Sequence, residues 1–228
     1  MSGDESVPVV TERLTAVMAA GLDELVADDH RIRLPTQAAR RWDIPGHGQI
    51  ALSRWGLPVD QLLVPGFQSE THPILVPNVA GENERRVIAP HQRLYVIGRW
   101  GRHESAAKIG AVAGDGRVLA LWDSPLAVDD VHPDLAEHYR DLYRPAVEFV
   151  NSSVAQFVEC CWRWRAAVEV LVADLEAYDP TWPTEAALAH CDLHESGKQI
   201  VMDQFRQIDP GIDGPATIWG ETVLDELV

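Results

Sequence analysis

The chain has 228 residues, of which 46% are hydrophobic and 24% are charged, and its formal net charge is −16. A chain of this length can fold around one hydrophobic core, and no stretch approaches the ~18 consecutive apolar residues that a membrane helix requires. A negative field of this size disfavours binding to nucleic acid or to anionic membranes, and it favours encounter with a basic partner.

The N-terminus and the cysteines both indicate a cytoplasmic protein. Acidic residues, Asp4 and Glu5, stand where a secretory signal would carry basic ones, and no apolar block of signal type follows them. The three cysteines are Cys160, Cys161 and Cys191. Their number is odd and two of them are adjacent, which favours reduced thiols in a reducing compartment.

Residues 1–49 are predicted to form an N-terminal helix and a Pro/Gly-rich lead-in that pack on a main domain of residues 50–228. The helix is expected over residues 10–26, where apolar residues recur three and four positions apart: Leu14, Val17, Met18, Leu22 and Leu25. Proline and glycine interrupt residues 34–65, where we expect loops and brief helices, one of them within residues 50–57.

From residue 72 the hydrophobic pattern is typical of strands. Four segments carry β-branched and aromatic residues between turn signals: residues 72–79, 93–100, 106–114 and 116–123. Gly114-Asp115-Gly116 joins the last two segments and predicts a tight antiparallel hairpin, because these residues tolerate positive φ. One more short strand, AVEFV, is expected to end at Asn151.

A long helix is predicted to begin directly after Asn151, because apolar residues then follow a 3.6-residue period. Ser153 and Gln156 have the spacing of a capping box at its start. Further helices are expected over residues 184–207, with Gly197 as a point where that helix could break, and over residues 218–227. Strands followed by helices predict the α+β class. We expect a mixed, mainly antiparallel sheet flanked by helices, with the long helix after the last strand.

Sequence motifs for catalysis and for cofactor binding are absent. The sequence contains neither a G-x-x-x-x-G-K-[ST] phosphate loop nor a G-x-S-x-G nucleophile elbow. Cys191 with His194, and the acidic run of residues 129–134, match no defined metal-ligand spacing. We therefore predict a non-enzymatic binding protein without a cofactor or a metal. An enzyme whose site has no recognisable motif is the alternative.

The acidic charge is concentrated in the second half of the chain. Residues 1–122 hold 14 acidic and 13 basic residues, whereas residues 123–228 hold 21 acidic and 6 basic ones. We predict that the loop after the strands binds a partner; its candidate contacts are Asp129, Asp130, Asp134, Glu137 and Asp141. Trp162 is predicted to be partly exposed and to act as an aromatic anchor. The alternative is an acidic surface that serves solubility alone.

The segment Val150-Asn151-Ser152-Ser153 leads from a strand into a helix that carries Phe157 in its first turn. This pattern resembles the SUKH superfamily of bacterial immunity proteins, in particular its fourth subfamily. Three further elements are similar to this family and extend the resemblance over about residues 50–228: Gly56-Leu57-Pro58, Gly116-Arg117-Val118, and Ile208-Asp209-Pro210 followed by Trp219.

The resemblance implies a protein without an active site that binds and neutralises a cognate toxin, such as a nuclease or a deaminase, of a bacterial polymorphic toxin system. It also implies that Asn151, Ser152 and Ser153 form a structural junction whose side-chain oxygens bind the first amides of the helix. We expect a toxin domain as the partner, no nucleic acid and no membrane, and a monomer or weak dimer. A regulatory or scaffolding protein of the same fold is the alternative.

Overall fold

The computed structural model describes residues 7–27, 30–60, 62–130, 132, 137, 142–213 and 217–225. Its helices are α1 Val7–Ala19, α2 Leu22–Leu25, α3 Thr36–Ala39, α4 Gly46–Arg54, α5 Glu82–Val87, α6 Val154–Glu176, α7 Thr184–Ile208 and α8 Ile218–Gly220, after which a π-helical turn covers Glu221–Asp225. Its strands are β1 Arg31–Ile32, β2 Leu57–Pro58, β3 Leu63–Pro65, β4 Leu94–Trp100, β5 Lys108–Val112, β6 Val118–Leu121, β7 Leu126–Ala127, β8 Tyr143–Arg144 and β9 Val147–Asn151.

The central sheet has five strands in the order β3-β4-β5-β6-β9, and each neighbouring pair is antiparallel. The predicted α+β class is confirmed. The sheet was predicted to be mixed and mainly antiparallel, and every strand pair in the described part of this sheet is antiparallel. The predicted hairpin between β5 and β6 is also confirmed, since Gly114 and Gly116 have φ values of 92° and 74°. Two short ribbons, β1-β2 and β7-β8, lie outside this sheet.

The predicted strand over residues 72–79 is wrong. Only an isolated bridge between Leu75 and Leu94 connects this segment to the sheet. Pro73 and Pro77 lack the amide hydrogen that a continuous ladder needs, so the segment cannot pair along its length. The edge position beside β4 belongs instead to β3, whose Val64 pairs with Arg99.

The long helix predicted after Asn151 is α6, and it lies at the centre of the protein. It packs against α1, α4, α7 and the end of β9. Five successive residues of the helix are buried: Cys160, Cys161, Trp162, Arg163 and Trp164. A helix that is buried on several sides no longer shows one polar face to solvent.

The helix predicted over residues 184–207 is α7, and it runs through Gly197 without a break. A Cβ atom on Gly197 would lie 2.9 Å from Leu14 Cδ1 and 3.3 Å from Leu171 Cδ2. The glycine therefore allows α1 and α6 to approach α7 closely. Of the last predicted helix, α8 and the π-helical turn cover residues 218–225, and Leu227 lies outside the described residues.

The N-terminal helix contributes to the same core as the rest of the chain. Leu14 and Trp42 are buried in one hydrophobic cluster with Phe157. At the end of α1, the Arg163 guanidinium donates to the carbonyl oxygens of Val17, at 3.3 Å, and of Met18. The division of the chain at residues 49 and 50 stays a prediction.

The second face of the sheet carries a smaller core beneath α5. Its buried members are Ile88, Leu94, Val112, Leu119, Leu121 and Val147. On the same face of the sheet, the residues around β3, Val96 and Lys108 do not belong to this cluster. Among the helices of the described residues, none is long and apolar enough to cross a bilayer.

Candidate partner-binding surface

The connection between β6 and β9 contains the β7-β8 ribbon, in which Leu126 pairs with Arg144 and Ala127 with Tyr143. A 3₁₀ turn, Val128–Asp130, follows β7 directly. The Asp130 carboxylate accepts a hydrogen bond from the Ala127 amide at 2.8 Å, which folds the acidic turn back onto the ribbon.

Acidic and large apolar side chains are exposed together along this connection. We define the ribbon surface as the exposed acidic and large apolar residues of this connection: Asp123, Leu126, Asp129, Asp130, Glu137 and Tyr143. Leu126 is 42% exposed and Tyr143 is 43% exposed. Of the five acids predicted as partner contacts, Asp129, Asp130 and Glu137 belong to this surface, whereas Asp134 and Asp141 lie outside the described residues.

The buried carboxylate of Glu84 attaches the ribbon to α5. Its Oε1 accepts hydrogen bonds from the Tyr143 hydroxyl at 2.9 Å and from the Ala146 amide at 3.0 Å. Its Oε2 accepts from the Gly81 amide at 2.8 Å. Burial raises the pKa of Glu84, but the backbone and Tyr143 hydrogen bonds outweigh it and hold the pKa below its ordinary value. The hydrogen bond to Glu84 also raises the pKa of Tyr143.

Arg144, the second residue of β8, attaches the ribbon to other parts of the protein. Its guanidinium lies 4.4 Å from the centroid of the Trp122 ring and forms ion pairs with Glu221, at 2.8 Å, and with Glu148, at 3.2 Å. Burial raises the pKa of Glu148, although Arg144 acts in the opposite direction. Both residues of β8 are thus held by side-chain contacts with the rest of the protein, and the acidic turn is bonded to β7, with which β8 pairs.

The predicted exposure of Trp162 is wrong. This side chain is fully buried, and its indole N–H donates to the Gly56 carbonyl oxygen at 3.1 Å. The prediction assumed that α6 has one face in solvent, whereas the helix is covered by α1, α4 and α7. The exposed aromatic residue beside the acidic turn is Tyr143. The sequence carried no periodic signal for it, because a two-residue strand is too short to show alternation.

The Asn-Ser-Ser junction is only partly as predicted. Ser153 caps α6, because its hydroxyl oxygen accepts from the Gln156 amide at 3.3 Å. Asn151 and Ser152 bind the buried Asp209 carboxylate instead of the first helix amides. The reason is that the end of α7 packs against the start of α6 and brings Asp209 there.

The other sites considered from the sequence do not converge. His194 contacts the Asp174 carboxylate through Nδ1 at 3.2 Å, and Cys191 is exposed. Within the part of the chain that the structure describes, no group of three or more potential ligands is arranged to hold a metal ion. A second set of exposed acids lies on α7, away from the ribbon surface in the chain: Glu185, Asp192, Glu195 and Asp203.

An antiparallel sheet, a central helix that begins at an Asn-Ser-Ser junction, and a return of the chain through Asp209 and Trp219 define an α+β domain built around one central helix. The family model of the SUKH-4 immunity proteins matches residues 17–226. The chain therefore belongs to the SUKH-4 immunity protein family, and membership implies a toxin as its partner. The match begins at residue 17 rather than near residue 50. Comparisons with curated proteins and with solved structures gave no match.

Proposed function

We propose that this protein binds and neutralises a cognate toxin of a bacterial polymorphic toxin system, and that it does so through the ribbon surface, without catalysis or a cofactor. The observation that carries the proposal is the exposure of Leu126 and Tyr143 among Asp123, Asp129 and Asp130. Family membership supports the partner class. Asp134 and Asp141 belong to the proposed contacts by their place in the chain.

Charge supports a basic partner surface. The acids of the ribbon surface lie in the half of the chain that holds 21 acidic and 6 basic residues. Acidic groups speed association with a basic partner. A nuclease toxin presents such a surface, because its cleft binds phosphates. An acidic inhibitor can occupy the same cleft in place of nucleic acid.

Anchoring of the ribbon supports tight binding. Tyr143 and Arg144 are held by Glu84 and Glu221 before any partner arrives. A surface that is ordered in advance loses less conformational entropy on association. Tyr143 is the aromatic anchor in this proposal, since tyrosine is enriched among residues that dominate interface energies. We further propose a monomer or weak dimer that acts in the cytoplasm.

The test uses the toxin domain encoded beside this chain, in a growth-rescue assay and in association kinetics. Reversal of Asp129, Asp130 and Glu137 to lysine should abolish rescue and lower the association rate constant about tenfold or more at low salt. The matched control reverses three exposed acids of α7, Glu185, Asp192 and Asp203, and so changes net charge equally. Equal effects of both triple variants would show charge steering without contact and would contradict the ribbon interface.

Tyr143→Ala tests the anchor, with Tyr178→Ala as its control because Tyr178 is 41% exposed. We expect Tyr143→Ala to weaken toxin binding about 10- to 100-fold, as for an interface hot spot, and Tyr178→Ala to leave it unchanged. Tyr143→Phe keeps the ring and removes the hydroxyl that binds Glu84, so it distinguishes the contribution of the ring from that of the hydroxyl. A chain that binds no neighbouring toxin and rescues no growth would instead be a regulatory or scaffolding protein.

A further inference from the structure

A cleft with a volume of about 430 Å³ lies on the outer face of the sheet. It is lined by Val64, Gly66, Ile74, Leu75, Val96, Gly98, Arg99 and Lys108. The cleft borders the small core beneath α5, because Leu75 lines the cleft and also packs against that core. Its lining combines aliphatic side chains with two cationic ones, in a chain whose net charge is −16.

Backbone geometry creates the cleft. The β4-β5 register shifts between Val96 and Gly98, and such irregularities locally redirect a strand. The Gln68 side chain accepts a hydrogen bond from the Val96 amide at 2.9 Å and donates to the His72 carbonyl oxygen at 2.7 Å. Leu75 bridges to Leu94 with mutual hydrogen bonds of 3.0 Å. These contacts hold the segment before α5 beside the sheet, so the walls are ordered.

The apolar part of the lining is accessible. Val64 is 36% exposed and Ile74 is 43% exposed. Both side chains border the cleft, so a partner that covered them would remove apolar surface from water. The lining thus offers a place for one or two aliphatic side chains of a partner.

The charged part of the lining is cationic and consists of Arg99 and Lys108. Lys108 Nζ forms an ion pair with the exposed Asp123 carboxylate at 2.8 Å, and Arg99 donates to the Glu104 carbonyl oxygen at 3.0 Å. The Lys108 hydrogen bond, followed by the Lys108 charge, lowers the pKa of Asp123. The charge of Arg99 lowers the pKa of Asp123 further. The lining thus carries two cationic groups, one of which is paired with Asp123.

The cleft is continuous with the ribbon surface. Asp123 belongs to that surface and pairs with Lys108 of the cleft. The Asn78 side-chain amide donates to the Asp123 carbonyl oxygen at 2.9 Å and ties the segment that includes Ile74 to the same point. A partner that lies on the ribbon surface therefore reaches the rim of the cleft.

We propose that the cleft binds an extended segment of the same partner in which an aliphatic side chain stands next to a carboxylate. The aliphatic group covers Val64 and Ile74, and the carboxylate pairs with Arg99 and Lys108. This inference rests on the proposed function, because continuity with the ribbon surface identifies the occupant as part of the toxin. The interface is then bipartite, with acids of this chain on one side and its cations on the other.

A defined peptide tests the chemistry of the cleft without the toxin. The probe is the acetylated, amidated peptide Val-Leu-Glu-Val, titrated into the ¹⁵N-labelled full chain and followed by amide chemical shifts. We expect shifts at Gly66, Gly98 and Gly110. Replacement of the probe's glutamate by lysine, or Lys108→Glu in the chain, should weaken binding up to about fivefold. Arg86→Glu is the matched charge control, because Arg86 is an exposed cation paired with Glu82 on α5.

Filling the cleft gives a second variant that preserves the fold. A Cβ atom on Gly66 would meet nothing within 4 Å, and the φ of Gly66 is not positive, so Gly66→Met is tolerated. Gly46 on α4 has the same properties and lies outside the lining, so Gly46→Met is its control. Gly66→Met should abolish the peptide-induced shifts, and Gly46→Met should leave them unchanged.

The outcomes separate the two proposals. Shifts at the same glycines with octanoate as large as those with the peptide would assign a small amphiphile to the cleft and overturn the inference, as would a peptide that causes no shifts. Toxin that binds wild type and Gly66→Met equally, yet loses binding to the ribbon variants, would overturn the cleft alone. Failure of wild type to bind the toxin would overturn the proposed function, while the peptide titration still decides the chemistry of the cleft.

Discussion

The Asn151 side-chain amide donates to Asp209 Oδ2 at 2.9 Å, although the two residues are 58 positions apart. The Asn151 side-chain oxygen, Oδ1, accepts from the Trp219 indole N–H, also at 2.9 Å, and all three residues are buried. One asparagine thus joins the end of β9 to the segments that follow α7. Elements that resemble the SUKH family at distant places in the sequence form a single hydrogen-bonded unit.

Asp209→Ala should destabilise the fold by about 2–4 kcal/mol, because one buried and three partly buried donors would lose a charged acceptor. These donors are Asn151 Nδ2, the Ser152 amide and hydroxyl, and the Gly211 amide. The measurement is the free energy of unfolding in urea. Asp203→Ala is the control, since this exposed carboxylate pairs only at the surface with Arg206 and its loss should cost less than about 0.5 kcal/mol. A loss for Asp209→Ala as small as that for Asp203→Ala would show that the junction is unimportant for stability.

Glu84→Gln should destabilise the fold by about 1–2 kcal/mol at neutral pH, because one carboxylate oxygen that accepts from backbone or Tyr143 is replaced by a donor. The folded pKa of Glu84 lies below its ordinary value of 4.5. The stabilisation is therefore complete above about pH 4.5 and is lost as pH falls through the folded pKa. Unfolding measured from pH 7 to pH 3 should show the difference from wild type shrinking.

The exposed Glu82 provides the control for this pH dependence. Glu82→Gln removes an acid from the same helix, where the carboxylate pairs only with Arg86 at the surface. We expect a small change in stability. A constant difference between wild type and Glu84→Gln across this pH range would refute the role of the ionised carboxylate.

Gly56→Ala should cost about 2 kcal/mol or more, because Gly56 has a φ of 67° and a Cβ atom there would lie 2.4 Å from the Ile32 carbonyl oxygen. Gly46→Ala, at an open position, is the control. Thermal unfolding measures both. A tolerated Gly56→Ala would mean that the turn before β2 can relax.

Trp162→Phe should cost about 1–3 kcal/mol, because the buried Gly56 carbonyl oxygen loses its indole donor. Toxin affinity of the folded variant should not change, since Trp162 is not at the surface. Titration calorimetry with the toxin domain checks this expectation. A large loss of affinity with unchanged stability would restore Trp162 as a contact.

Arg163→Met should loosen the N-terminal helix and cost about 1–3 kcal/mol. The guanidinium donates to carbonyl oxygens at the end of α1, including that of Ala20 at 3.1 Å, and methionine cannot do so. Limited proteolysis should then cleave near residues 20–27 faster than in wild type. Arg206→Met, on the surface of α7, should leave the cleavage rate unchanged.

The elements read correctly from the sequence are those whose signal is local. The hairpin at Gly114 and Gly116 needs only residues that accept positive φ, and the start of α6 needs only Ser153 beside an apolar period. Residues 72–79 have the hydrophobic composition of a strand, yet Pro73 and Pro77 limit their pairing to Leu75. Hydrophobic composition does not show that Pro73 and Pro77 lack the amide hydrogens that strand pairing requires.

The sequence by itself determined the α+β class, the strand-to-helix junction, the family and the half of the chain that carries the acidic charge. Each depends on residue types at short spacing or on a sum over the chain. Only the tertiary structure decided that Trp162 is buried and that Asp209 forms hydrogen bonds with Asn151 and Ser152. It also decided that Tyr143 is exposed while its hydroxyl binds Glu84. Burial and hydrogen-bond partners depend on segments far apart in the chain, and α1, α4 and α7 cover a helix whose own period predicted an open face. The acidic charge was visible in the sequence, whereas the surface that presents it required the fold.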